Sequence, residues 1–119
     1  MQKIYSEENI FYQIISGKIN SEKLYEDDFL ICIKDIAPVA PVHILVIPKK
    51  KFLDFNDFIT KAPPELIIKY YQIIPEMAKN HNISDYRVLT NIGNLAGQTV
   101  MHFHTHIIGG KKLGGLIGI

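Results

Sequence analysis

Three histidines alternate along a single run, His102, His104 and His106 in VMHFHTHII. If that run is a strand, successive side chains point to opposite faces, and the three imidazoles share one face with Gln98, Val100 and Ile108. Met101, Phe103, Thr105 and Ile107 face the other way and supply packing, which frees the histidine face to line a cleft. Three neighbouring imidazoles that charge near neutral pH repel one another and desolvate poorly unless an anion or a metal compensates. Two chemistries meet that condition. Neutral imidazoles could hold a transition metal, with His43 as a fourth ligand. Alternatively, one imidazole attacks phosphorus while its neighbours, partly protonated, hold the non-bridging oxygens. The local context favours phosphorus: no Asp or Glu lies between Tyr86 and the C-terminus to orient a metal-bound imidazole, whereas Gly97-Gln98-Thr99 sets an amide and a hydroxyl beside glycine. Neither a metal nor a cofactor is expected.

The elements that must position these groups follow from periodicity. Ile10, Phe11, Ile14 and Ile15 recur at helical spacing between Ser6-Glu7-Glu8 and Gly17, which predicts a short amphipathic helix. From Leu24 to Lys34 two strand segments flank a turn at Glu26, Asp27 and Asp28. Cys32 falls inside the second and reads as a small buried hydrophobe. Pro38 and Pro41 interrupt regular structure after Asp35, so that a loop carrying this acid joins two core strands, the next being His43 to Ile47, stopped by Pro48. Lys49, Lys50 and Lys51 read as a solvated strand end. A long helix is expected from Pro63-Pro64 to about Asn80, kinked or ended early by Pro75. Tyr86 to Ile92 and Gln98 to Ile108 read as strands around a turn-rich loop at Gly93–Gly97. His81 reads as a surface loop histidine. Strands joined mostly by turns, with helices inserted at two places, predict an α+β fold: an antiparallel sheet of about five strands with two helices.

Composition narrows the function classes. A chain of 119 residues reads as one compact domain spanning 1–119. Thirteen Lys plus Arg against 12 Asp plus Glu leave a net charge of +1, which argues against phosphate-driven binding to nucleic acid. One cysteine makes neither an internal disulfide nor a thiolate zinc site, so the chain reads as cytoplasmic. No window approaches the roughly 18 apolar residues of a membrane span.

The run GQTVMHFHTHIIGG resembles the histidine triad (HIT) motif, His-φ-His-φ-His-φ-φ with φ hydrophobic and Thr105 a lenient φ. YEDD at 25–28, DIAPVAPVHILVIPK at 35–49 and Asn91-Ile92-Gly93 are similar to the Hint branch of that family, the nucleoside phosphoramidase-like members. The resemblance runs from about Phe11 to Gly110. It implies an α+β homodimer, its sheet extended across the dimer, that binds a purine nucleoside monophosphate and hydrolyses a bond at the α-phosphorus. On matching positions His104 would be the nucleophile, His106 would contact the phosphate, His102 would orient the nucleophile and His43 would complete the cluster. Gln98 and Thr99, beside Gly97, match the pair that holds the phosphate and leaving-group side, with Asn91 in the same pocket. Asp35 matches the ribose-binding acid, and one carboxylate can accept from both ribose hydroxyls. Ile10, Phe11, Ile14 and Ile36 match the apolar base pocket. Histidine at 106, where the nucleotide-transferase branch has glutamine, implies hydrolysis over transfer. The C-terminal KKLGGLIGI departs from the aromatic, proline-bearing Hint tail. Dinucleoside polyphosphate hydrolysis and a nucleotide-binding interaction module stand as alternatives.

Overall fold

The computed structural model describes residues 4–117. The last two residues of the aliphatic C-terminal tail lie outside that range. Five antiparallel strands form one sheet in the order β1-β2-β3-β5-β4. They are β1 (Lys23–Glu26), β2 (Leu30–Lys34), β3 (Val42–Pro48), β4 (Tyr86–Leu89) and β5 (Thr105–Gly109). The α+β class and the five-stranded antiparallel sheet are as the sequence predicts.

Strand alternation builds two cores, one on each face. Leu30 and Cys32 of β2, Ile44 and Val46 of β3 and Ile107 of β5 pack against α3 (Pro64–Asn80), through Leu66, Tyr70, Ile73, Ile74 and Met77. Ile31, Ile33, Leu45 and Ile47 face the other way, onto Phe11 and Ile14 of α1 (Ile10–Ile15). The two faces therefore divide the labour: the long helix closes one, and the short helix leaves room on the other for a cavity. Buried Tyr70 ties the layers together by donating its hydroxyl to the Val46 carbonyl at 2.7 Å.

Among the described residues there are three α-helices, not two. The extra one, α2 (Phe55–Lys61), is held by a reciprocal cap in which the Asp54 carboxylate accepts from Asp57 N–H and the Asp57 carboxylate accepts from Leu53 N–H, each at 2.8 Å. Phe58 buries completely on α3 and Phe103. Nor does Pro75 end α3 early, because the helix continues to Asn80. Pro75 lies on the exposed side, where the carbonyl left without a donor can take water. His81 is half-buried at the end of this helix and donates from Nδ1 to the Met77 carbonyl at 2.9 Å.

Two strands are shorter than their patterns suggest. β4 stops at Leu89, after which Thr90 turns its hydroxyl onto Thr105 at 3.0 Å. Residues 98–104 do not join the ladder at all, and β5 begins only at Thr105. Side chains compete for that stretch's backbone: Gln98 donates to the Val100 carbonyl at 3.1 Å and His104 to the His102 carbonyl at 2.8 Å, while Phe103 N–H goes to Phe52 at 2.8 Å.

Candidate active site

The register of β3 against β5 brings two distant histidines together. Leu45 lies opposite His106 and His43 opposite Ile108, so His43 and His106 are diagonal neighbours on one face, within reach of long side chains. Their rings meet through His43 Nε2 and His106 Nδ1, 2.8 Å apart. Asp35, in the loop between β2 and β3, sets its Oδ2 3.3 Å from His43 Nε2 and accepts the Ala37 N–H on Oδ1 at 2.8 Å. A carboxylate thus does reach the cluster, from a part of the chain 71 positions before His106, although none is near the triad in sequence.

Hydrogen-bond partners assign the tautomers. His104 Nδ1 faces a carbonyl, that of His102, so it carries the proton, and Nε2 keeps the lone pair. His102 likewise gives its Nε2–H to the Pro48 carbonyl at 2.7 Å. His43 Nδ1 accepts the Val39 N–H at 3.2 Å, which places the His43 proton on Nε2 and directs it to His106 Nδ1. His106 is therefore a donor at Nε2. Among the described residues neither His104 Nε2 nor His106 Nε2 has a partner, and no unpartnered side-chain nitrogen or oxygen is sealed from solvent, so both atoms are open to a ligand.

A cavity of about 420 Å³ lies over these atoms, within the usual range for a small-molecule site. His104, His106, Asn91, Gly97 and Thr99 form one part of its wall, and Asp35 and Ile36 another. Ile10, Phe11 and Ile14 of α1 line the apolar remainder, with the Phe11 ring edge-on to His104 at 4.9 Å between centroids. Val100, expected on the histidine face, lines it too, as do Ile19, Asn20, Ser21, Ile33, Lys34 and Leu45, which sequence reasoning did not single out for this site. A helix followed by a short loop gives no signal that loop residues turn back over a strand face.

Three of the expected residues stand behind the wall. His102 is fully buried and touches His104 through its main-chain carbonyl, so the three imidazoles do not line one cleft. His43 is also behind, one bond removed through His106. Gln98 is buried as well: its Oε1 accepts from Gly93 N–H at 2.9 Å and its Nε2 donates to the Leu53 and Val100 carbonyls. That amide is fully engaged in pinning the loop, so a phosphate contact from it does not follow from the geometry. Gly97 is required here, because its φ of +100° is left-handed and an added Cβ would lie 3.3 Å from Asn91 Nδ2.

Burial settles the charge state differently from the expected partly protonated cluster. It holds His102 and His106 down at about 4, and His104 below its ordinary value, with the neighbouring imidazoles adding to the effect at His102 and His106. Burial thus favours the neutral form of all three triad imidazoles. Asp35, His43 and His106 also present ligand atoms all within 4.8 Å of one another, a spacing suited to a metal ion. The His43 tautomer opposes that use, since its Nε2 carries a proton where an ion would need the lone pair.

A stability consequence follows. The unfolded chain protonates His102 and His106 near 6.5, whereas in the folded chain they resist until about 4, so the unfolded state binds more protons between those values. Stability is expected to be full above about pH 6.5 and to fall as the pH drops towards 4, with fully buried His102 alone contributing up to roughly 3 kcal/mol. Urea midpoints at pH 7.5, 5.5 and 4.5 check this. A flat midpoint across that window would show that the histidines are not held neutral.

Fold and site together define an α+β protein whose five-stranded antiparallel sheet carries a small-molecule cavity floored by histidines. Residues 8–116 match the family described as scavenger mRNA decapping enzyme C-term binding. An uncharacterised HIT-like protein of Rickettsia prowazekii is 47% identical over 116 residues, covering 96% of this chain and 97% of that one. Among solved structures, a HIT family hydrolase from Clostridium thermocellum superposes with a TM-score of 0.82 at 36% identity, covering 94% of this chain and 98% of its own. A histidine triad protein from Clostridium difficile does so at 0.81 and 36%, covering 98% and 100%. The chain belongs to the histidine triad (HIT) family.

Proposed function

We propose that this protein is a hydrolase of the Hint type that binds a purine nucleoside 5′-phosphoramidate and cleaves its P–N bond through a nucleotidyl-His104 intermediate. The observation that carries the reading is the His104 ring, whose Nδ1–H is committed to the His102 carbonyl and whose Nε2 lone pair is open to the cavity. A neutral imidazole is the nucleophilic form, and burial keeps it neutral below its ordinary value. HIT family hydrolases among the structural neighbours support the reaction class.

His104 Nε2 attacks the α-phosphorus and the P–N bond breaks. His106 Nε2–H meets a non-bridging oxygen, and the anionic phosphate, with Asp35 behind, draws a proton from solvent onto the His43–His106 pair. That proton goes to the leaving amine. Water then attacks phosphorus, the bond to His104 breaks, and the proton released by water passes through the pair to solvent, leaving a nucleoside monophosphate and free enzyme. Asn91 and Thr99 hold the phosphate side, Asp35 the ribose hydroxyls, and Ile10, Phe11, Ile14 and Ile36 the base.

Wild type assayed with aminoacyl, lysyl and dinucleotide conjugates of AMP is expected to turn over the phosphoramidates fastest. Faster cleavage of the dinucleotide would favour a polyphosphate hydrolase. AMP binding with no turnover would favour an interaction module. The ribose contact has its own test: Asp35→Asn is expected to raise KM for the ribonucleotide roughly tenfold and to erase the preference over the 2′-deoxy substrate. A preserved ribose preference in that variant would remove Asp35 from the role.

We also propose a homodimer joined through β4, which is one of the two edge strands of the sheet and leaves Val88 exposed. The protein would act in the cytoplasm, consistent with one buried cysteine whose thiol burial pushes up to about 12 and makes inert. Among the described residues no helix is long and apolar enough to cross a membrane.

A further inference from the structure

Tyr5 precedes the family match, which begins at residue 8, and does not line the histidine cavity. Its hydroxyl nevertheless meets His102 Nδ1, 97 positions later, with the rings edge-on at 5.5 Å between centroids. His102 is fully buried, and its Nε2–H is already given to Pro48. Nδ1 is therefore a lone pair inside the protein, and such a group needs a donor. Tyr5 is that donor. Burial raises its hydroxyl above its ordinary value, which keeps the proton on oxygen.

The segment bearing Tyr5 is itself seated. Glu7 pairs with Lys51, whose ammonium lies over the Tyr12 ring at 5.1 Å, and Tyr12 meets Tyr5 edge-on at 6.1 Å. Lys51 is exposed, as expected just past a strand end, and its ion pair with Glu7 lies at the surface beside the two tyrosine rings. On the other side of His102 its own carbonyl receives the His104 Nδ1–H. A ring bonded at both nitrogens cannot turn without losing a bond, so the peptide that presents that carbonyl is held as well.

We propose that Tyr5 is a positioning residue for His104: its hydrogen bond holds the His102 ring, and hence the carbonyl that fixes the nucleophile's tautomer. The consequence for catalysis rests on the phosphoramidase reading, whereas the link from Tyr5 through His102 to His104 does not. The titratable and charged groups around this link are Glu7, Tyr12 and Lys51 beside Tyr5 and His104 beside His102.

Tyr5→Phe removes the donor and keeps the ring. In ¹⁵N spectra of the imidazoles, wild-type His102 is expected to show one Nε2–H tautomer and no titration down to pH 5. In the variant it is expected to take up a proton at higher pH, and the His104 Nδ1–H resonance is expected to shift or broaden. With phosphoramidate, kcat is expected to fall roughly tenfold, KM to stay within about twofold, and the acid limb of the kcat profile to move to higher pH. Unchanged His102 and His104 resonances would overturn the proposal, as would altered resonances with wild-type kcat and pH profile. If wild type hydrolyses none of the conjugates, the phosphoramidase reading falls, and the His104 resonance alone decides whether Tyr5 positions it.

Discussion

Replacing His104 with alanine is expected to lower kcat/KM for a nucleoside phosphoramidate by at least about 10³-fold, while the dissociation constant for AMP changes only a few-fold. The asymmetry comes from where binding and chemistry reside. Apolar contacts from Ile10, Phe11 and Ile14 and polar contacts from Asp35, Asn91 and Thr99 surround the cavity without His104. Of the histidines that line the cavity, only His104 offers an open nitrogen that keeps its lone pair, held by a bond at the opposite end of its ring, whereas the open nitrogen of His106 carries a proton. Phe11 packs edge-on against it, so truncation leaves a gap beside the base pocket, and that gap accounts for the allowed change in affinity. Isothermal titration with AMP and steady-state kinetics on one preparation measure both quantities. Turnover within tenfold of wild type would place the nucleophile elsewhere.

Phe103→Ala is expected to cost about 3–5 kcal/mol of folding stability. Phe103 is 1% exposed and stacks on Phe58 at 4.6 Å between centroids, with Tyr70 at 5.1 Å and Phe55 at 6.1 Å. These rings join α2 and α3 to the segment that carries the triad. Because Phe103 sits between His102 and His104, filling the core on one face holds the nucleophile on the other. The urea midpoint should fall with the slope unchanged, and Phe103→Leu should recover most of the loss. A cost below about 1 kcal/mol would show that the aromatic cluster does not anchor the triad.

How far the sequence was legible differs between the sheet and the site. Alternation assigned the two faces of β5 correctly because that signal is local: each residue's side depends only on its neighbours' parity. It even holds across 102–107, where Phe103, Thr105 and Ile107 turn to the α3 side although the strand starts only at Thr105. Helix α2 was legible in principle, from Asp54 three residues before Asp57 and from Phe55 and Phe58 ahead of Pro63, but the stretch is only seven residues long. The carboxylate behind the histidines was not legible from spacing, because the β3–β5 register that delivers Asp35 and His43 is a long-range property. The charge state was hidden for a related reason: residue counts give the number of imidazoles, whereas burial decides whether they carry a proton. Tyr5 lay outside every motif, and only its contact with His102 marks it.

The claim at the centre of this account is that the bond at phosphorus is exchanged twice, first to His104 Nε2 and then to water. Each in-line displacement inverts phosphorus, so two restore the original configuration. The direct measurement is the steric course of hydrolysis of a P-chiral nucleoside phosphoramidate, such as a phosphorothioate analogue, in ¹⁸O-water. Net retention is the predicted result, and net inversion would contradict a nucleotidyl-histidine intermediate.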